Sequence, residues 1–128
     1  MIFKVRIMGP AQNEMREIYR YIAEELHNPI AAVQRISLID EAIQSLRENP
    51  ARFPLVRDGY LASKGFRLIV AKNHLVFFII REEAKAVSVM RVLYGRRDWL
   101  RILKVEAENL LPQVDISIPT PYNTPATE

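Results

Sequence analysis

Residues 65–94, GFRLIVAKNHLVFFIIREEAKAVSVMRVLY, decide the fold. They hold three runs rich in Val, Ile, Leu and Phe, at 65–71, 74–81 and 86–94, separated by Lys72-Asn73 and by the polar stretch 82–85. Runs of β-branched and aromatic residues broken by short polar links specify an antiparallel three-strand meander. The middle run, HLVFFIIR, is apolar at consecutive positions. It therefore belongs at the centre of the sheet, or is covered by helices on one side and another layer on the other.

Upstream the hydrophobic period lengthens. Met15, Ile18, Tyr19, Ile22 and Leu26 fall at helical spacing after Pro10, whose missing N–H suits a first turn. Asn28 can cap a second helix started by Pro29, with Ala32, Ile36, Ile39, Ile43 and Leu46 as its stripe, ending before Asn49-Pro50. So short a link makes an antiparallel helical hairpin. Before it, IFKVRI at 2–7 alternates as a short strand ended by Gly9-Pro10. Residues 50–64, with Pro50, Pro54 and Gly59, form an ordered loop. Downstream, Asp98 can cap a last helix carrying Leu100, Leu103, Ala107 and Leu111, which Pro112 ends. The sum is an α+β domain, β-α-α-β-β-β-α, in which the hairpin packs across one face of a small antiparallel sheet and the other face stays open.

A chain of 128 residues that is 49% hydrophobic and 26% charged is long enough for one domain with a real core, here residues 1–111. Residues 112–128 hold four prolines and no basic residue, the pattern of an acidic arm that is extended or disordered. With no cysteine and only His27 and His74, neither a disulfide framework nor a zinc site is expected, and no cofactor is called for. No apolar run approaches a membrane span, and the N-terminus lacks a leader's apolar core, so a cytoplasmic protein is expected.

The net charge of +3 hides a strong local excess, because residues 52–104 carry 12 Lys/Arg against 4 Asp/Glu. Such a block suits an acidic partner, nucleic acid or protein, or is simply a solvated basic surface. Its focus is RVLYGRRDW, residues 91–99. Arg67, Arg91, Arg96 and Arg97 are candidates to bind phosphate or carboxylate through their planar forks. The structural alternative is a clamp: Arg97 with Asp98, or a buried arginine paired with Asp98 or with helix glutamates. Tyr94 could stack on a base or give a proton, or simply pack at a strand edge. Trp99 could touch a partner or anchor the last helix. His74 has the ordinary pKa for acid–base work, yet its place beside Lys72-Asn73 is also that of a polar hairpin corner.

The segments EMREIYRYIAEE, NPIAAVQR, NPARFPLVRD, GFRLIVAKNHLVFFII and VMRVLYGRRDW, in this order, resemble the RelE/ParE superfamily of bacterial toxins over about residues 3–100. Members are the toxic halves of type II toxin–antitoxin, or plasmid-stabilisation, modules. Gly9, where many members have a capping serine, and the acidic tail depart from the pattern. The resemblance implies two possible activities: ribosome-dependent cleavage of mRNA in RelE-like members and inhibition of DNA gyrase in ParE-like ones.

RNA cleavage through the 2′-hydroxyl needs a proton acceptor, a proton donor and cations at the phosphate. The nuclease branch supplies them from a Lys-x-Lys pair, a strand arginine, a turn arginine and a terminal aromatic. Here those places hold Arg67 and Ile69, Leu75, Arg97 and a residue near Leu103. An arginine stays protonated and is a poor base, so the resemblance points to the ParE-like branch, with no catalytic residue required. On the nuclease alternative the site would be Arg67, Tyr94, Arg97 and His74. On the binding reading, Arg67, Arg91, Tyr94, Arg96, Arg97 and Trp99 meet gyrase or a cognate antitoxin protein. The antitoxin's acidic, amphipathic segment would sit on the open sheet face and beside the helical hairpin, and the chain's own acidic tail could lie against the same basic patch.

Overall fold

A computed structural model describes residues 2–110; the expectation for residues 112–128 lies outside the described residues. The elements are β1 (Lys4–Ile7), α1 (Gly9–Arg20, prolonged by a wider π turn at Tyr21–Glu25), α2 (Pro29–Gln44), α3 (Gly59–Ser63), β2 (Arg67–Ala71), β3 (His74–Arg81), β4 (Ala86–Tyr94) and α4 (Trp99–Asn109). This is the expected α+β order, with the short α3 added inside the loop. Asp58 explains α3: its carboxylate accepts the Leu61 N–H at 3.1 Å, as Asn28 accepts Ala31 N–H at the start of α2.

The sheet order is β1-β4-β3-β2. The last three strands are the antiparallel meander, while β1 lies parallel to β4 with Lys4 opposite Ala86 and Ile7 opposite Val89. One irregularity shapes the site. Phe77 faces Arg91 but Phe78 faces Val89, so Met90 is an extra residue and the alternation of β4 reverses across it. Val87 and Val89 therefore share a face with Val92, and Met90 shares the opposite face with Leu93.

The consecutive apolar residues of β3 are explained by two cores. Val76 and Phe78 join Ile39, Ile43 and Leu46 of the helical hairpin. Phe77 and Ile79 join Leu61, Phe66, Leu103 and Ala107 under α3 and α4. Full burial of each of the phenylalanines 66, 77 and 78 contributes about 2 to 3 kcal/mol. The expectation of an open sheet face is thus corrected: α3, α4 and the segment around Val56 cover it, because Leu103, Ala107 and Trp99 turn toward the same side.

The helix stripes also need correcting. Met15, Ile18 and Ile36 pack on the core, but Tyr19 and Leu26 are exposed, since the hairpin overshoots the sheet and its tip has nothing beneath it. In α4, Leu103 and Ala107 are buried but Leu100 is exposed, one position round the helix from Trp99, which takes the place against the sheet.

Candidate functional site

The site is the end of the sheet where β4 stops. Gly95 donates its N–H to the Asn73 carbonyl at 2.8 Å, stitching the turn after β4 to the β2–β3 hairpin. A Cβ at Gly95 would stand 3.3 Å from that carbonyl, which is why a glycine belongs there. Arg97 N–H closes the turn on Tyr94 C=O at 2.9 Å. Asp98 then caps α4 by accepting Arg101 N–H, and its other oxygen takes the Arg101 guanidinium at 3.2 Å. The anticipated Arg97–Asp98 clamp is therefore replaced: Asp98 holds Arg101, one helical turn on. Arg96 and Arg97 are exposed, and among the described residues neither has a carboxylate partner. Trp99 packs its ring on Phe77, centroids 5.3 Å apart, and so anchors α4 to the sheet.

Two of the four candidate arginines are occupied elsewhere. Arg67 donates to the carbonyls of Phe53 (2.6 Å) and Ala51 (3.3 Å), pinning the loop before α3 against the β2 edge. Arg91 lies where β1 ends and leaves the β4 edge bare. Glu14 of α1 fills that gap: one oxygen accepts Arg91 Nε at 2.7 Å and also meets Nη2, while the other accepts Val92 N–H at 2.9 Å. Glu106 of α4 approaches Arg91 from the other side at 3.4 Å. Burial works against the charged guanidinium, but the bonds and charge of Glu14, with Glu106, outweigh it and raise the Arg91 pKa. Burial, helped by Glu14, raises the Glu106 pKa despite Arg91. This network ties α1 and α4 to β4 and leaves Arg91 no free fork.

His74 is not an exposed corner. The turn is made by Lys72 and Asn73, while His74 is the first residue of β3 and only 6% exposed. Tyr94 stands across from it, ring centroids 5.6 Å apart, and Arg35 of α2 approaches Nδ1 at 3.4 Å. Burial and then the Arg35 charge lower the His74 pKa, so the imidazole is neutral. Tyr94 is the exposed member of this stack. Around it lie Arg96 and Arg97, Lys72 in the adjoining turn, and beyond Arg35 the hairpin tip with exposed Tyr21, Leu26, Ile30 and Val33. Glu14 and Glu106 are helix glutamates of the kind anticipated for a buried arginine, though not named in the sequence reading, and Arg35 escaped it. Glu106 had a signal: it lies three residues from Leu103 and beside Ala107 on the buried stripe, where a carboxylate needs a cation.

The positions of the nuclease constellation fare differently. Leu103 is fully buried, Leu75 packs on the α4-side core, and Ile69 is in the opposite core. Arg97 and Tyr94 alone of the four nuclease candidates are open to solvent as a pair at the turn. Among the described residues no group of acidic, His or Cys side chains could hold a metal ion, and no helix is long and apolar enough to cross a membrane.

The family model described as "ParE toxin of type II toxin-antitoxin system, parDE" matches residues 5–99. Among solved structures, a chain of the chromosomal ParDE toxin–antitoxin system from P. aeruginosa is similar at TM-score 0.60 and 14% identity, covering 73% of this chain and 96% of that one. A chain of the RelBE2 toxin–antitoxin complex from Mycobacterium tuberculosis is similar at TM-score 0.53 and 18% identity, covering 73% and 99%. At these identities the likeness is one of fold. No curated protein sequence matches.

Proposed function

The chain belongs to the ParE toxin family of type II toxin–antitoxin systems, and from that premise we propose that it stops growth by binding DNA gyrase rather than by cutting RNA, and that a cognate antitoxin protein silences it. The observation that carries the choice is the state of His74. It is the one described side chain near the turn with an ordinary pKa suited to accepting a proton at neutral pH, and it is buried, with the Arg35 cation at its Nδ1. Arg67 is spent on loop carbonyls. What remains exposed is a cationic and aromatic end, Lys72, Tyr94, Arg96 and Arg97, which suits recognition of a negatively charged surface.

The covered sheet also bears on the antitoxin's seat. With the second face occupied by α4, the hairpin tip offers a run of exposed apolar side chains at Tyr21, Leu26, Ile30 and Val33, on the side of the basic end. A segment that folds on binding can cover both at once.

The test uses purified chain in two assays. Inhibited gyrase supercoiling with intact message on translating ribosomes is the expected result; codon-positioned message cuts with normal supercoiling would replace gyrase by mRNA as the target. Arg97→Ala should weaken gyrase inhibition by on the order of tenfold, the effect of losing one charged contact, while leaving stability within about 0.5 kcal/mol because the side chain is exposed.

A further inference from the structure

Among the described residues the partly buried arginines are Arg35, Arg67 and Arg91. A guanidinium withdrawn from water needs acceptors along its fork. Arg91 has the carboxylates of Glu14 and Glu106, and Arg67 has the carbonyls of Ala51 and Phe53. Arg35, in the second turn of α2, differs. Its partner among the described residues is His74 Nδ1 at 3.4 Å, and no described carboxylate or carbonyl meets it.

That partner leaves the charge uncancelled. A guanidinium has donors only, so Nδ1 accepts and the proton of the neutral ring lies on Nε2. The rest of the five-donor fork has no acceptor among the described residues. His74 opens β3 with Tyr94 across from it, ring centroids 5.6 Å apart. Both follow the parity of Val76 and Val92, so Arg35, His74 and the exposed Tyr94 gather on the helical-hairpin side of the sheet end. Lys72, exposed two residues before His74, adds a second cation without a described carboxylate.

We propose that Arg35 is an anion-recognition residue of this surface, that His74 positions its guanidinium by accepting from it, and that the ligand is a carboxylate side chain of an acidic protein partner. The proposal rests on the reading of the sheet end as a recognition surface and names the residue that reads the partner's charge. A planar fork takes a carboxylate in two parallel bonds. The neighbourhood favours protein over RNA. A single strand of nucleic acid is gripped by stacking as well as by charge, and the exposed ring at the turn, Tyr94, already lies against His74. The start of α2 presents exposed Ile30 and Val33, which suit the apolar neighbours of an acidic side chain rather than sugar and phosphate.

The test uses the full-length chain and two probes of equal charge, a capped oligoglutamate and an oligouridylate, followed by the Tyr94 ring resonances at physiological ionic strength. The oligoglutamate should shift this ring saturably. Arg35→Gln should weaken its binding on the order of tenfold. Arg6→Gln, which takes the same charge from the exposed edge strand β1, should change it by less than about threefold. His74→Leu, which removes the acceptor, should weaken binding at least about threefold in the otherwise unaltered chain and not at all in Arg35→Gln, because the two residues act through one contact. His74→Asn, whose amide oxygen can stand in for Nδ1, should restore it. Equal losses from Arg35→Gln and Arg6→Gln, additive losses from Arg35→Gln and His74→Leu, or tighter binding of the oligouridylate would each overturn the proposal. Gyrase supercoiling is read separately: a chain that takes the oligoglutamate through Arg35 yet leaves supercoiling normal refutes gyrase as the target and upholds this assignment.

Discussion

At the scale of single residues, charge that looked available for recognition is divided between two duties. Arg96 and Arg97 are free, whereas Arg91 is held between Glu14 and Glu106 with side-chain exposures of only 18%, 14% and 20%. Removing one partner of such a pair leaves an uncompensated charge in a poorly solvated place. Arg91→Ala should therefore cost about 3 kcal/mol in urea denaturation, far more than Arg97→Ala. His74 supplies a pH dependence with the opposite sense from a salt-bridged histidine. Its folded pKa lies below the ordinary 6.5, so the unfolded chain takes up the proton first. Its contribution is complete above 6.5 and declines as pH falls from 6.5 toward the lowered value. The denaturation midpoint should fall between pH 7.5 and 5.5, and His74→Gln should flatten that part of the profile. The burial of His74 was not legible in the sequence because the hairpin turn is only two residues long. That brings His74 opposite Tyr94 and under Arg35, thirty-nine positions away. Arg91 was legible as a residue in need of a partner, but Glu14 lies on an element whose placement depends on where β1 stops.

Among the elements, periodicity was a sound guide to existence and a poor one to coverage. The three runs of 65–94, the caps at Asn28 and Asp98 and the breaks at Pro10, Pro29 and Pro50 all mark real boundaries, because each has a local cause. The two-sided apolarity of β3 already required a second layer, and α4 with Trp99, Leu103 and Ala107 is that layer. What hid it was the stripe of α4, which can turn either toward the sheet or away from it until Trp99 is seen on Phe77. Two substitutions test its attachment. Asp98→Ala removes the cap and the Arg101 contact and should cost about 1 kcal/mol. Trp99→Ala, which empties a partly buried ring site over Phe77, should cost about 3 kcal/mol. Both are read from urea midpoints, and near-equal values would mean that the ring does not anchor the helix. The five-residue α3 had a visible cap in Asp58, but its run is too short for a period to declare itself.

For the whole molecule, the sheet end joins two surfaces of unlike character, a cationic turn and an apolar hairpin tip. Long-range attraction by the first speeds encounter and is screened by salt over about 8 Å at physiological ionic strength. With gyrase, the target proposed above, the double variant Arg96→Ala, Arg97→Ala should slow association and reduce its salt dependence while leaving dissociation little changed. A change confined to dissociation would place these arginines in the buried part of the contact instead.

The parallel pairing of β1 with β4 also sets a clock. Lys4 meets its neighbour Ala86 only after the residues between them have been synthesised, which at 5 to 20 residues per second takes about 4 to 16 s. During that interval a nascent chain has its helical hairpin and no sheet to lay it on. The basic turn follows later still, after residue 94. The cationic surface proposed for recognition is therefore complete only late in the chain's synthesis.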